Sequence, residues 1–508
     1  MGSEVTRGFK AMQTILNAGA VRSLMRYAVE TCENCGKRPI DMYLDGFIGI
    51  KSKKCWKCAA VLAVIRGATG ITMKSFGKDN SSIKDVASKP YWRKGITSLV
   101  RGIAHFGPSK PFTTGAPLMI VWNFTNKCNL RCQHCYLDAG ALGEHMQSKD
   151  ELTTAEALRV VDELADADIT SLSFAGGEPL SRKDFFQVAE RAHERGMFVS
   201  IATNGTLITR EVAKKLAKII GYAEVSLDGV EPETHDSFRG QKGAWALTVA
   251  GIKNCIGEGI HTAVATTATR NNFQELPRIV DWAAENKVGT FLSFNFIPTG
   301  RGKEITEKDL TAEEREEHLK YLYRKMVEFM DNGGPSVFTT APQFGRVGIQ
   351  QSKLVMQEMT AGCAAIPATH YGNLPGITED LADFIGGCGA GRVYASISPE
   401  GIVSPCVFLP VPLGNLRDER FTDIWMKSRV FHNLRTRETL VGRCGKCEFK
   451  YVCGGCRARA YGYFGDYLYP DPGCARQFEF PEEDNNPGIL PVGEYAGEIK
   501  LETLPVVK

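Results

Sequence analysis

The sequence has no apolar run long enough for a membrane-spanning helix. Its best stretch, 59–65, ends at Arg66, whereas a span takes about 20 apolar residues. The first residues, MGSEVTRGFKAMQTILNAGAV, carry charged and amide side chains throughout and do not fit a secretory signal peptide. We therefore expect a cytoplasmic protein, with peripheral membrane contact through the apolar segments before residue 75 as an open alternative.

A dominant charge of either sign is also absent. The chain has 61 basic and 58 acidic residues and a net charge of +3. This balance gives no reason to expect a polyanionic partner, and we expect no nucleic-acid binding.

Cysteine, by contrast, is abundant, with sixteen residues. In a chain that does not begin like a secreted protein, repeated CxxC pairs indicate metal ligation rather than disulfides.

The chain divides into four blocks. Residues 1–110 contain helical patterns and a cysteine quartet, 115–335 alternate strand and helix patterns, 345–480 are loop-rich and cysteine-dense, and 481–508 form a polar tail. A loop-rich, cysteine-dense domain is usually held together by its metals.

Six β-rich segments alternate with helical patterns between 115 and 335. This alternation predicts an α/β fold, a parallel sheet curled into a partial (β/α)6 TIM-like barrel. Barrels of this kind place their chemistry at the carboxyl ends of the strands. The six segments are LMIVWNFT, ITSLSFAGG, FVSIATNG, YAEVSLDG, HTAVATTAT and GTFLSFNFIP.

The loop after the first strand, NKCNLRCQHCYLDAG, places Cys128, Cys132 and Cys135 in a CxxxCxxC pattern. Three thiolates can ligate three irons of a [4Fe–4S] cluster, and the fourth iron is then open to a ligand. A zinc site or a chance pattern is the alternative.

With Tyr136 following, this loop resembles the signature of the radical S-adenosylmethionine (SAM) superfamily. The second, third and fourth strands also end as they do in that family, which implies the SAM contacts. The backbone of the GGEP motif at 176–179 and the carboxylate of Glu178 would receive the methionine amino group, and Ser226 the methionine carboxylate or the ribose. The full set of SAM-binding candidates is Gly176, Gly177, Glu178, Pro179, Asn204, Ser226 and Asp228.

The resemblance also implies a mechanism. The reduced cluster would pass one electron to SAM, and the resulting 5′-deoxyadenosyl radical would abstract hydrogen from a substrate. Such an enzyme needs a reductant such as ferredoxin or flavodoxin. The non-enzyme alternative is a multi-cluster electron carrier, which would not bind SAM.

The C-terminal cysteines resemble the SPASM domain, which binds two auxiliary [4Fe–4S] clusters. The spacing between Cys453 and Cys456 is shorter by one residue than is usual in that family, and zinc at one or both sites is the alternative. The implied outer set is Cys444, Cys447, Cys453 and Cys474, and the inner set is Cys388, Cys406 and Cys456, with Cys363 as a plausible fourth ligand.

The N-terminal quartet has the two-knuckle spacing of a zinc ribbon or a rubredoxin, and its residues are Cys32, Cys35, Cys55 and Cys58. A tetrahedral S4 site suits zinc or a single iron, and the spacing does not choose between them. The remaining cysteine, Cys255, lies in a helical pattern and is expected to be a small buried side chain.

Three substrate classes stay open. The layout is similar to the haem-pathway and the peptide-maturase branches of SPASM enzymes, which leaves a peptide and a tetrapyrrole whose propionates are decarboxylated. The third class is a membrane lipid, which predicts that the apolar segments before residue 75 form an exposed hydrophobic face. The tetrapyrrole reading predicts basic residues such as Arg239, Arg270 or Arg301 in the cavity. Val407 stands where some SPASM peptide oxidases carry an acidic residue, and Asp236 is the expected partner of Arg239.

Overall fold

A computed structural model describes residues 13–75, 84, 87–140, 150–358, 365–368, 372–375 and 379–485. Cys363 and most of the predicted tail therefore lie outside the described residues. Within the described part of the chain, no helix combines the length and the apolar character that crossing a bilayer requires.

Twelve strands occur in the described residues. Their bounds are β1 Met119–Thr125, β2 Ser171–Gly176, β3 Phe198–Thr203, β4 Tyr222–Ser226, β5 His261–Ala268, β6 Thr290–Asn295, β7 Ser336–Thr339, β8 Ala365–Ala368, β9 Gly372–Pro375, β10 Tyr394–Ile397, β11 Ile402–Ser404 and β12 Gly414–Asn415. Ten of them form one sheet in the order β12-β11-β10-β1-β2-β3-β4-β5-β6-β7, and β8 pairs with β9 in a separate hairpin.

The predicted α/β fold is confirmed, and β1 to β6 coincide with the six predicted segments. All neighbours from β1 to β7 are parallel. The sheet continues past residue 335 into β7. On its other side β10 pairs in parallel with β1, with Met119 opposite Tyr394, so the cysteine-rich block shares the sheet of the barrel.

Helices connect the strands and cover the outer face of the sheet. The first of them begins with a capping box in which Thr153 and Glu156 satisfy each other's backbone amides, a device that stabilises a helix by about 1 kcal/mol. The helices of this region are Thr154–Asp166, Phe185–Glu194, Arg210–Leu216, Pro232–Arg239, Ala244–Gly257, Leu276–Glu285 and Ala312–Asn332.

Further helices lie on either side of this region in the sequence. Those before it are Gly19–Val29, Pro39–Phe47, Trp56–Ser75 and Pro90–Phe106. Those after it are Gln343–Glu358, Glu379–Ile385, Phe421–Lys427, Arg429–Arg435, Gly442–Lys446, Arg457–Phe464 and Glu482–Asn485.

The main core lies between the sheet and these helices. Phe124 and Phe174 meet edge to face, with ring centroids 5.2 Å apart, and Trp122 and Phe185 complete the buried aromatic group. Edge-to-face pairs add to the stabilisation that burial provides. The carboxyl half of β1, which leads into the loop that carries Cys128, is therefore packed in this aromatic group.

The N-terminal helices pack against the end of the sheet at which the parallel strands begin. Asp168, just before β2, accepts hydrogen bonds from Arg38 at 2.6 Å and from Arg101 at 2.7 Å. Lys94 Nζ donates to the carbonyl of Ala165 at 2.5 Å. The cysteine quartet therefore lies at the amino-terminal end of the strands. The Cys128 loop lies at the opposite end, because it follows the carboxyl end of β1.

Candidate active site

A cavity of about 270 Å³ lies inside the curved sheet, and six cysteines line it. Three belong to the loop after β1 and three to the predicted inner auxiliary set. The lining cysteines are Cys128, Cys132, Cys135, Cys388, Cys406 and Cys456. Both predicted cluster sites thus open onto one space.

Each sulfur of the first set accepts a hydrogen bond. The amide of Leu130 donates to Cys128 at 3.4 Å, the amide of Ala139 to Cys135 at 3.3 Å, and Arg239 Nη1 to Cys132 at 3.8 Å. Donors of this kind stabilise thiolates. Three thiolates on one loop fit a cluster that offers each thiolate its own iron.

The glycine-rich turn after β2 approaches this loop closely. The amide of Gly177 donates to the carbonyl of Thr125 at 2.7 Å, and the amide of Glu178 to that of Lys127 at 2.8 Å. A Cβ atom on Gly177 would come within 2.2 Å of the Lys127 carbonyl oxygen, so a side chain would force the two turns apart. Glycine is required here by the close approach.

The structure brings four of the seven SAM-binding candidates to the cavity wall, namely Gly176, Gly177, Asn204 and Ser226. Glu178 is fully buried, and its carboxylate accepts hydrogen bonds from the Thr203 hydroxyl and the Asn204 amide, each at 2.9 Å. Burial raises the pKa of Glu178 to about 7. The carboxylate thus positions the turn after β3, and Pro179 is buried beside it.

Asp228 is also fully buried, and its partner is Arg239. Arg239 Nε lies 2.6 Å from Asp228 Oδ2, and the amide of Thr267 donates to Asp228 Oδ1 at 2.9 Å. Asp236, the expected partner of Arg239, instead accepts the amide of Trp245 at 2.7 Å at the start of the next helix. That expectation was wrong, because Arg239 is buried at the end of the helix Pro232–Arg239 and pairs with Asp228 there.

Two of the three basic residues expected for a tetrapyrrole lie at the cavity. Arg239 and Arg301 line it, and Arg301 Nε donates to the Cys132 carbonyl at 2.7 Å while its Nη1 lies 2.5 Å from Asp138. Arg270 pairs instead with Glu314 at 3.0 Å on the surface. The cavity arginines are therefore already engaged by protein acceptors.

The sequence reasoning missed Glu224, which projects into the cavity from the middle of β4. Tyr222, Glu224 and Ser226 alternate along this strand, so Glu224 shares the face of the SAM candidate Ser226. Burial alone raises the pKa of Glu224 to about 7. The two-residue period of the strand was the available signal.

Aromatic side chains form the rest of the wall. Phe294 and Phe408 lie 6.2 Å apart between their ring centroids, and Phe408 also contacts Tyr136 at 4.9 Å. His134 stacks on Phe238 at 4.0 Å, and burial holds its pKa well below the usual range. His134 is therefore a packing residue of the cluster loop.

The predicted outer cysteines surround a second, smaller cavity. Cationic and amide donors face their sulfurs: Arg476 Nη1 lies 3.5 Å from Cys447, Arg457 Nη2 lies 3.7 Å from Cys444, and the amide of Gly455 lies 3.3 Å from Cys453. These donors fit a negatively charged thiolate cluster. The four cysteines on this cavity are Cys444, Cys447, Cys453 and Cys474.

The N-terminal quartet has the geometry of a single-ion site. The sulfurs of Cys32 and Cys55 are 3.7 Å apart, those of Cys35 and Cys58 are 3.6 Å apart, and all four lie within 4.8 Å of one another. Four thiolates at this spacing fit one tetrahedral ion. The hydroxyl of Tyr27 lies 3.2 Å from the sulfur of Cys32, within hydrogen-bonding distance, and so helps to position this ligand.

Comparison with known proteins decides the family. Residues 122–283 match the radical SAM superfamily, and residues 388–448 match SPASM, an iron–sulfur cluster-binding domain. The chain is 38% identical over 362 residues to an AdoMet-dependent heme synthase of Methanosarcina barkeri, which covers 71% of this chain and 97% of that one. The chain belongs to the radical SAM superfamily. It is a radical-based enzyme that uses SAM and iron–sulfur clusters.

The relatives of this radical SAM enzyme are not all heme synthases. The mycofactocin maturase MftC of Mycolicibacterium smegmatis is 30% identical over 377 residues, 72% of this chain and 84% of that one. The fold matches Streptococcus suis SuiB bound to S-adenosylmethionine, with a TM-score of 0.56 and 17% identity over 82% of this chain and 89% of that one. It also matches anSMEcpe with bound AdoMet, with a TM-score of 0.52 and 19% identity over 71% and 94%.

Proposed function

We propose that this radical SAM enzyme oxidatively decarboxylates propionate side chains of a tetrapyrrole. The observation that carries the proposal is the joint cavity, in which Cys128 and its partners and Cys406 and its partners face the same space. A substrate there lies between a site of hydrogen abstraction and an iron–sulfur site that can accept an electron. The similarity to heme synthases over nearly their whole length supports the same substrate class.

The proposed reaction needs these two sites and no base. A propionate that loses a hydrogen atom from the carbon next to the ring, then carbon dioxide and one electron, becomes a vinyl group. No proton leaves the substrate in this sequence. Val407, which cannot accept a proton, is therefore compatible with the reaction where an acidic residue serves other SPASM enzymes.

The residues at the cavity would bind and shield the reactants. When bound at Cys128, Cys132 and Cys135, a [4Fe–4S] cluster supplies the reductive cleavage of SAM. Gly177, Asn204 and Ser226 would orient SAM beside it, and the aromatic wall keeps water from the reactive centre.

We propose three [4Fe–4S] clusters and one structural zinc. The inner set of Cys388, Cys406 and Cys456 and the outer quartet around Cys447 would hold the two auxiliary clusters, and Cys363 stays a proposed fourth inner ligand. Zinc suits the N-terminal quartet because this site lies where the strands begin, away from the cavity at their carboxyl ends. A reduced ferredoxin or flavodoxin would supply electrons.

The N-terminal module also has a surface that suits peripheral membrane contact. Trp56 is 75% exposed, Ile50 53% and Val64 52%, and lysines 51, 53, 54 and 57 stand beside them. Exposed aromatic and apolar groups next to lysines favour binding to anionic bilayers.

Sedimentation with phosphatidylglycerol vesicles tests this contact. The Trp56→Ala variant should bind these vesicles more weakly, and phosphatidylcholine vesicles are the control.

The reaction is tested with iron coproporphyrin III, a tetrapyrrole with four propionates. Anaerobic holoenzyme, SAM and dithionite should give products lighter by carbon dioxide and two hydrogen atoms per propionate, seen by mass spectrometry together with 5′-deoxyadenosine. A Cys132→Ala enzyme is the control and should give neither. Release of 5′-deoxyadenosine without a lighter porphyrin would remove the tetrapyrrole from the proposal and leave the enzyme class intact.

A further inference from the structure

One carboxyl group in the cavity has no role in the reaction just proposed. Glu224 is half-buried, and its exposed part faces the cavity. Its neighbours at the same level are small, with Ala202 opposite it on β3 and Ala263 opposite it on β5. Small neighbours leave the carboxyl uncovered, so a ligand in the cavity can reach it.

The carboxyl lies on the cavity that both cysteine sets share. Glu224 lines this cavity together with Cys135 and Tyr136 of the first loop and with Tyr394 and Cys406 of the inner set. A ligand that occupies the space shared by the two sets can therefore reach the carboxyl.

No described residue donates a hydrogen bond to the Glu224 carboxyl or forms an ion pair with it. The cavity arginines are held by other acids, Arg239 by Asp228 and Arg301 by Asp138. A carboxylate without a cation in an enclosed cavity is costly, so the neutral, protonated form is favoured. A protonated carboxyl is a hydrogen-bond donor, which a carboxylate ligand lacks and needs.

We propose that protonated Glu224 donates a hydrogen bond to the carboxylate of the substrate and so selects a carboxylate-bearing side chain for reaction. The inference rests on the proposed function, since it names the propionate as the group received. A carboxylic acid and a carboxylate that share one proton form a strong, charge-assisted hydrogen bond. Substrate recognition would then depend on a proton rather than on a free arginine.

The test compares Glu224→Gln with Glu224→Ala. Glutamine keeps the size of the side chain and donates a hydrogen bond through its amide, whereas alanine cannot donate. Binding of iron coproporphyrin III to anaerobic holoenzyme with SAM is followed through the porphyrin absorption band. We expect the glutamine variant to bind within about threefold of the wild type, and the alanine variant to bind about 10- to 100-fold more weakly, as loss of a hydrogen bond to a charged group predicts.

The iron complex of the coproporphyrin tetramethyl ester is the control ligand, because it has no carboxylate. Its binding should respond equally to both substitutions. Equal affinity of the wild type and the alanine variant for the acid form overturns the inference alone, and so does equal weakening by glutamine and alanine. Absence of binding by the wild type overturns the proposed function and the inference with it.

Discussion

The Nε atom of Arg239 lies 2.6 Å from Oδ2 of Asp228, and both side chains are buried beneath the cluster loop. The same guanidinium reaches the sulfur of Cys132 at 3.8 Å. Arg239 therefore links the end of β4 to a cluster ligand, and its charge is balanced from both sides.

Removing the negative charge of Asp228 should destabilise the fold strongly. In an Asp228→Asn enzyme the buried arginine loses its compensating anion, which typically costs about 3–5 kcal/mol. Thermal unfolding under anaerobic conditions should show a clearly lower midpoint. Asp423→Asn, which breaks a solvent-exposed pair with Arg420, is the matched control and should leave the midpoint where it is. A similar midpoint for both variants would contradict the structural role of the pair.

Substitution of Cys132 by alanine should abolish 5′-deoxyadenosine release, because one iron of the SAM-binding cluster loses its ligand. The measurement is chromatography of the nucleoside after reduction with dithionite. Cys255→Ala serves as the control: Cys255 is fully buried in a helix away from the cavity and should affect neither the iron content nor the release. Normal release by the Cys132 variant would refute the assignment of the loop.

Loss of an outer cysteine ligand should lower the iron content of the enzyme without preventing SAM binding. A Cys447→Ala enzyme should lose about four irons per chain, since one cubane contains four. SAM binding, measured by calorimetry, should persist because the outer cavity shares no lining residue with the main one. An unchanged iron content would mean that the outer quartet does not hold a cluster.

The metal of the N-terminal quartet should be zinc and should be independent of the chemistry. A Cys35→Ser enzyme should contain one zinc fewer by elemental analysis, while the release of 5′-deoxyadenosine is retained. The reason is that the module contacts the start of the strands through Arg38 and Asp168, whereas the proposed SAM site lies at their carboxyl ends. Iron in this site, or loss of SAM cleavage in the variant, would contradict the proposed structural role.

Stability should depend on pH through Glu224. Burial raises its pKa from 4.5 to about 7, so the folded protein binds the proton more tightly than the unfolded chain does. The stabilisation is fully present below about pH 4.5 and is lost as the pH rises through about 7. Glu224→Gln should therefore reduce the fall in the thermal midpoint between pH 5.5 and pH 8. The pKa of Glu178 is also raised to about 7, so part of the fall should remain in the variant. An unchanged fall would contradict the burial of Glu224.

The sequence predicted the six barrel strands because each β-rich run alternates with a segment whose apolar residues recur at the intervals of a helix. Among the described residues, the cysteines of each proposed auxiliary set line a common cavity, and the family patterns that the sequence resembles are the source of that grouping. The sequence did not predict that β10 joins β1, since a pairing between segments so distant in sequence leaves no local signal. Nor did it find Asp228 as the partner of Arg239, because that pair depends on how the helix Pro232–Arg239 packs against the sheet. Glu224 was missed although the two-residue period of β4 places it on the face of Ser226.

The parallel pairing of β1 with β10 has a consequence for biosynthesis. One edge of β1 stays unpaired until the chain has been synthesised past residue 397, since β10 must reach β1. An unpaired strand edge is open to pairing with a wrong strand. The strand that leads into the first cluster-binding loop is therefore supported on both sides only once β10 has emerged, and we expect iron and sulfide to be inserted after that point rather than before it.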